Sequence, residues 1–302
     1  MEFSFCSISE FGRFDQDQFG QQPDMASGNH VPVTNPPTKK HFIHRVLQLC
    51  TMSLPQLPPF FYQIFESLPR QGPGCPEATR KVFSLIPPLP NDGTILDVGC
   101  GSGAQTRDLA TLTKGKITAV DNHQPFLDKI DAWARKAGMA HRVTTVCASM
   151  GALPFGKGSF DLIWSEGAVF IIGFEKGLST WKPLLKKGGY MVVSDADWFE
   201  PNPPAELVKW WENEGYVPLS EEEMEERIKK AGLHLVATYR LPEAGWCENY
   251  YVPMLARVAE LRKTHGKDPE NAALLDSLEA EAETYRKFRR YYGYTFFIMQ
   301  HC

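Results

Sequence analysis

No uninterrupted apolar run of 18 or more residues occurs in the chain, and a bilayer-spanning helix needs roughly 20, so no membrane span is expected. A secretory signal does not read at its start either. Glu2, Glu10, Asp15 and Asp17 stand where a basic region would, and no apolar stretch follows them. An excess of positive charge is also missing. Lys and Arg number 32 against 36 Asp and Glu, a formal net charge of −4 with no concentrated basic stripe, which disfavours nucleic acid as a partner. Paired cysteines are absent: Cys6, Cys50, Cys75, Cys100, Cys147, Cys247 and Cys302 are scattered, odd in number and without a C-x-x-C. That usage fits free thiols in a reducing, cytoplasmic setting, with no metal site and no disulfide framework. A thiol-coordinated substrate such as arsenite gains little support from the spacing.

Aliphatic side chains are scarce in the first 40 or so positions, which are rich in Gln, Pro, Ser, Gly and Asp. Such a segment cannot bury enough surface to offset its ordering entropy. Residues 1–55 are therefore expected to form a disordered extension, and 56–302 one α/β domain. Phe42 to Met52 has the pattern of a short basic, amphipathic helix, stopped by prolines at 55, 58 and 59. Met52 is a candidate for an alternative start of the natural chain. The composition, 43% hydrophobic and 23% charged over 302 residues, suffices for one large core.

Against these absences stands one concentrated signal. Thr94-Ile95-Leu96-Asp97-Val98 is a β-rich run, and Gly99, Gly101 and Gly103 follow it at alternate positions before a helical stretch from Gln105 to Leu112. A strand, a glycine loop and a helix bring bare backbone against a ligand and aim unpaired N–H groups at it. A second β-rich run, Lys116 to Val120, ends in Asp121, 18 residues past Gly103. A carboxylate there suits the paired hydroxyls of a ribose. Gly99, Gly101 and Ala104 fit only a relaxed dinucleotide fingerprint, and Asp97 is no part of one.

The string Asp97-Val98-Gly99-Cys100-Gly101-Ser102-Gly103 resembles motif I of the class I methyltransferases, which bind S-adenosylmethionine (SAM). The resemblance continues in order. Leu153-Pro154-Phe155 with Ser159-Phe160-Asp161-Leu162-Ile163 is similar to the fourth-strand region of the small-molecule branch that includes the ubiquinone and menaquinone C-methyltransferases. Leu184 to Val193 is similar to the helix–turn–strand after it. The likeness covers roughly residues 70–200. It implies a doubly wound, Rossmann-like, seven-stranded and mostly parallel sheet, with a C-terminal antiparallel strand between strands five and six.

The strands expected from the residues are Thr94–Val98, Lys116–Val120, Arg142–Ala148, Phe160–Trp164, Tyr190–Ser194, His234–Leu241 and Tyr294–Met299. Helices are expected over Phe60–Leu68, Pro76–Leu85, from Pro125 to a stop at Gly138, over Glu175–Lys186 despite Pro183, after the capping box at Ser220-Glu221-Glu222-Glu223 as far as Gly232, and over Pro269–Tyr292. The part between about 242 and 292 is expected to cap the substrate site.

What the resemblance implies for function is methyl transfer from SAM to a small-molecule acceptor. It gives Gly99, Cys100, Gly101, Gly103 and Asp97 to the methionine end of the cofactor, and Asp121 and Asn122 to the ribose and adenine. After strand three, where relatives often carry an aspartate, this chain reads Cys147-Ala148-Ser149-Met150. Ser149 and Met150 are the candidates there for the adenine. Arg70-Gln71-Gly72-Pro73-Gly74 resembles a loop of a bacterial subgroup. Arg70 and Gln105 are candidates for the SAM carboxylate, unless the loop only links two helices. Glu166, after strand four, is the catalytic candidate. It serves as a base, or steadies a cationic acceptor, or only pairs with Arg70 or a backbone amide. Trp198, Trp246, Tyr250 and Tyr251 are candidates to enclose an acceptor. Two rivals stand beside this reading: an NAD(P)-dependent oxidoreductase on a Rossmann sheet, and a non-catalytic SAM-fold binding or scaffold protein.

Overall fold

The computed structural model describes residues 58–302. The expected extension, its boundary at 55, the Phe42–Met52 helix and the alternative start all lie outside those residues.

Strand formation starts where β-branched and apolar residues cannot stay in water. In β1 (Thr94–Val98) every residue after Thr94 is buried, and the strand pairs in parallel with β2 (Lys116–Asp121) and β4 (Phe160–Glu166). β3 (Val143–Cys147) extends the sheet beyond β2, and β5 (Leu185–Trp198) lies beyond β4, all parallel. The chain returns through β7 (His234–Arg240) and β8 (Tyr292–Gln300). β8 runs antiparallel between β5 and β7, giving the order β3-β2-β1-β4-β5-β8-β7. A two-residue β6 (Leu219–Ser220) pairs with the far end of β5, off that path. The expected doubly wound sheet with an inserted antiparallel strand is thus present.

Both faces are covered. On one, α1 (Pro59–Phe65), α2 (Pro76–Phe83), α3 (Ala104–Leu112) and α4 (Gln124–Lys136) join the C-terminal helices around Trp164, Val192 and Phe296. On the other, α5 (Phe174–Trp181) and α7 (Glu221–Lys230) pack on Met191, Val193 and Phe297. Ser220 and Glu223 form the expected capping box of α7.

Several boundaries move for physical reasons. The helix expected to run through Pro183 stops at Trp181 and becomes a 3-10 turn over Lys182–Leu184, since proline offers no N–H to the helical ladder. β5 is far longer than the expected five residues because β8 pairs along it from Tyr190 to Trp198. α6 (Ala205–Asn213) was not foreseen. The part expected to cap the substrate site is helical: α8 (Glu243–Trp246), a π-helical turn over Cys247–Tyr251, α9 (Val252–His265) and α10 (Pro269–Phe288), the last N-capped by Asp268.

Candidate functional site

The carboxyl ends of β1, β2 and β4 open into a cleft enclosing about 1040 Å³, open solvent included. This is where ligands settle in such sheets. The glycine loop forms one wall. Gly101 has φ of 52°, and a Cβ on it would meet the Gln71 side-chain oxygen. That oxygen also accepts the Ser102 N–H at 2.7 Å, while Gln71 Nε2 donates to Phe65 O and Leu68 O at 3.1 and 3.3 Å. A loop from the N-terminal side is in this way strapped over the glycine turn.

Asp121 closes the end of β2. Its Oδ2 accepts the Gly101 N–H at 2.9 Å and its Oδ1 the His123 N–H at 3.0 Å. Burial raises its carboxyl above the usual range, against the pull of those two N–H groups. Next to it, His123 lies 2.7 Å from Glu66 Oε1 and stacks on Tyr62 with centroids 3.8 Å apart. Tyr62 and Phe61 of α1 line the cleft.

Glu166 ends β4 and lines the cleft, with its carboxylate held by three side chains. Oε2 is 2.5 Å from Arg70 Nη2, and Oε1 accepts from Thr79 Oγ1 at 2.8 Å and Trp164 Nε1 at 2.9 Å. Its side chain is 1% exposed. Of the three readings of Glu166, pairing with Arg70 is the arrangement found. Arg70 itself lines the cleft, so the Arg70–Gly74 loop does more than link two helices.

Among the expected cofactor contacts, Gly99, Cys100, Gly101, Gln105, Asp121, Asn122 and Met150 also line the cleft. Asp97, Gly103 and Ser149 do not. Asp97 is fully buried below the loop, where it accepts from Gln105 Nε2 at 3.2 Å and Thr106 Oγ1 at 2.6 Å. Burial pushes its carboxyl up to about 7, and its two hydrogen bonds tie the start of α3 to β1. A Cβ on Gly103 would stand 2.5 Å from Ile130, which marks it as a packing position between α3 and α4. Ser149 Oγ is used by the Gly151 N–H at 3.3 Å in a turn.

The four expected acceptor aromatics are not cleft walls. Trp246 is 3% exposed, stacked on Tyr285 at 4.4 Å and set edgewise to Tyr294 at 4.5 Å. Tyr250 and Tyr251 are buried beside it, and Trp198 meets Tyr292 at 6.4 Å. These rings cannot reach the cleft because they fill the space between β8 and the C-terminal helices. The apolar walls come instead from Phe61, Tyr62, Phe126, Phe170 and Ile171. Gln71 was the missed residue with a readable signal, since it belongs to the loop motif already singled out.

Among the described residues no group of His, Cys, Asp or Glu is arranged to hold a metal, and no helix is long and apolar enough to cross a membrane.

Residues 95–189 match the family described as "Methyltransferase domain". The chain is 31% identical over 115 residues to the dimethylglycine N-methyltransferase of Parasynechococcus marenigrum (strain WH8102), covering 38% of this chain and 41% of that protein. It is 29% identical over 150 residues to the uncharacterized methyltransferase YodH of Bacillus subtilis (strain 168), covering 50% and 63%. The chain thus spans less than two thirds of the length of these relatives. Among solved structures it is similar to a SAM-dependent methyltransferase from Thiobacillus denitrificans in complex with S-adenosyl-L-homocysteine, with a TM-score of 0.69, 19% identity, and 82% and 100% of the two chains covered. That likeness is one of fold.

Proposed function

We propose that the chain binds SAM in this cleft and moves its methyl group to a small-molecule acceptor. The observation that carries the reading is Asp121 joined to the backbone of the glycine loop at the ends of two neighbouring parallel strands. The methyltransferase-domain match over the same strands, and relatives that carry out N-methylation, support it. The segments 153–163 and 184–193 also resemble those of the ubiquinone and menaquinone branch. Scattered thiols, free at Cys75, Cys100, Cys147, Cys247 and Cys302, support a reducing, cytoplasmic setting.

The residues present fit such a cofactor. Each Asp121 oxygen takes one backbone N–H and keeps a lone pair, enough to accept from two ribose hydroxyls. Arg70, held by Glu166, has further N–H groups for a carboxylate in the cleft. Gln105 lines the same end. Met150 and Phe126 offer apolar surface near Asn122 for a flat base. Bound SAM supplies a methyl carbon on a sulfonium, open to in-line displacement. For such a step the protein mainly orients the partners and keeps water out. Glu166 contributes as a positioning residue: its carboxylate fixes Arg70.

Calorimetry tests the reading. The purified protein is expected to bind SAM and S-adenosylhomocysteine, and Asp121→Ala to weaken both by tenfold or more, because a hydrogen bond to a charged group contributes about 1.5–3 kcal/mol. Equal affinity in the variant removes Asp121 from the site. A spectral change on titration with NADH, without SAM binding, moves the reading to the oxidoreductase rival.

A further inference from the structure

One side chain joins the glycine loop to the helix beside it. Gln71 is half-buried and lines the cleft. Its Oε1 accepts the Ser102 N–H at 2.7 Å, while the preceding N–H, that of Gly101, goes to Asp121. Two successive donors of the loop are therefore answered by side chains from outside it. The other end of the same amide serves α1. Nε2 donates to Phe65 O, the last carbonyl of the helix, and to Leu68 O in the turn after it.

α1 depends on such support. It has seven residues and no side-chain hydrogen bond at its N-cap, and a helix so short is not stable by itself. Ile64, Phe65 and Leu68 are buried in the core, and Phe61 and Tyr62 line the cleft. The other polar ties of this segment lead away from the glycine loop. Glu66 pairs with His123, Lys129 Nζ donates to Glu66 O, and Arg257 donates to Gln63 O at 3.2 Å. His123 does reach Asp121 through its own N–H. The Glu66 end of that line is 38% exposed, however, and an exposed pair holds weakly. At Gly101 the contact is close: a Cβ there would collide with Gln71 Oε1, so the amide rests on the bare backbone of the loop.

We propose that Gln71 is a positioning residue that makes the placing of α1, and with it the Phe61 and Tyr62 wall, depend on the cofactor in the glycine loop. The cofactor then enters first and completes the pocket that receives the acceptor. The proposal rests on the SAM-binding reading. A cofactor lying on Gly99 and Gly101 fixes the Ser102 N–H, and the amide that answers this donor presents Nε2 to the end of α1. Such coupling is reciprocal: a docked α1 tightens the cofactor by the factor by which the cofactor secures α1.

The test uses the full chain with S-adenosylhomocysteine as the probe. Calorimetry gives its affinity, and hydrogen exchange read by mass spectrometry follows the amides of residues 60–68. Saturating probe is expected to slow their exchange tenfold or more. Gln71→Glu keeps an oxygen for the Ser102 N–H but turns a second oxygen on the carbonyls of Phe65 and Leu68. In that variant, saturated in its turn, the slowing is expected to be threefold or less. Its affinity for the probe should fall by about the factor of protection lost. Slowing of more than threefold in the variant overturns the proposal, because α1 then answers to the cofactor by direct contact. So does an unaltered protein that binds the probe while α1 exchanges at its former rate; SAM binding stands in both cases. Gln71→Met, similar in length and lacking both polar ends, is expected to give the same readings where the glutamate variant does not fold. If the unaltered protein does not bind the probe, the SAM reading itself falls, and this proposal with it.

Discussion

Glu166 and Asp195 end up almost side by side, since Glu166 pairs with Ser194 across β4 and β5. Yet they belong to regions built in opposite ways. On the cleft side the carboxylates are answered: Glu166 by Arg70, Thr79 and Trp164, Asp121 by two backbone N–H groups. On the β8 side, among the described residues, Asp195 Oδ2 accepts no hydrogen bond and Glu281 has one tyrosine hydroxyl. Satisfied polar groups hold a shape whether or not anything is bound. Unsatisfied ones carry the cost of their lost hydration. The contrast teaches that the first region is held by paired charged groups, whereas the second carries buried carboxyls that burial pushes toward their neutral form.

Substitution at Arg70 should have the largest effect. Arg70→Ala leaves Glu166 as a buried, uncompensated charge, and breaking such a pair costs about 3–5 kcal/mol. Urea denaturation is expected to show that loss, with much of it recovered in the Arg70→Ala/Glu166→Gln double variant. A loss under about 1 kcal/mol, or no recovery, would mean that the pair is not what holds this wall.

On the unanswered side the opposite sign is expected. Burial lifts the Asp195 carboxyl to about 7, with the Tyr216 hydroxyl and the Ala196 N–H pulling it down and Asp197 and Tyr294 nearby. Below about pH 4 the group is neutral in folded and unfolded chains alike. From there up to about pH 7 the unfolded chain ionises first, so stability falls as pH rises. Asp195→Asn is therefore expected to gain on the order of 1–3 kcal/mol relative to the unaltered protein at pH 8 and nearly nothing at pH 4. Denaturation midpoints that move in parallel at both pH values would show that Asp195 is answered after all.

The smallest effect should come from the rim. His123 pairs with Glu66, which is 38% exposed, and stacks on Tyr62. Solvent-exposed pairs contribute about 0–1 kcal/mol, so His123→Ala is expected to change stability by less than about 1 kcal/mol. Because Tyr62 lines the cleft, SAM affinity in the same variant should fall by a few fold. A stability loss as large as that of Arg70→Ala would place the rim with the core.

The same division governs what could be read from the chain alone. Asp121, the glycine loop and α3 were legible because one strand, one turn and one helix sit within a few tens of residues, and their arrangement follows from backbone geometry. The parallel sheet was legible for a related reason, since strands alternating with helices imply one, whereas the place of the antiparallel strand followed from the family resemblance. The contacts of Asp97 were not legible, because its position before the glycines does not say that Gln105 and Thr106 turn its carboxyl inward. The partners of Glu166 were divided: Arg70 was one of the readings, but Thr79 and Trp164 appear only when α2 is laid against β4. Trp246 and Tyr251 were placed in the right segment, but aromatic content does not tell whether a ring faces a ligand or another ring. Asp195 and Glu281 carried no local motif at all. They matter only because β5, β8 and α10, distant in sequence, bring them to one tyrosine.

The insertion of β8 between β5 and β7 also sets an order of assembly. Thr94 pairs with Lys116, only 22 positions on, whereas Tyr190 pairs with Gln300, 110 positions on. Closing the longer loop costs about 1.4 kcal/mol more by the logarithmic dependence on length, and pairing over long separations is slow. The β1–β2–β4 core with its glycine turn is thus favoured to form early. Tyr294 arrives with β8, so its packing against Gly167 is expected to form last, and hydrogen-exchange pulse labelling during refolding should protect the amides of β1 before those of β8.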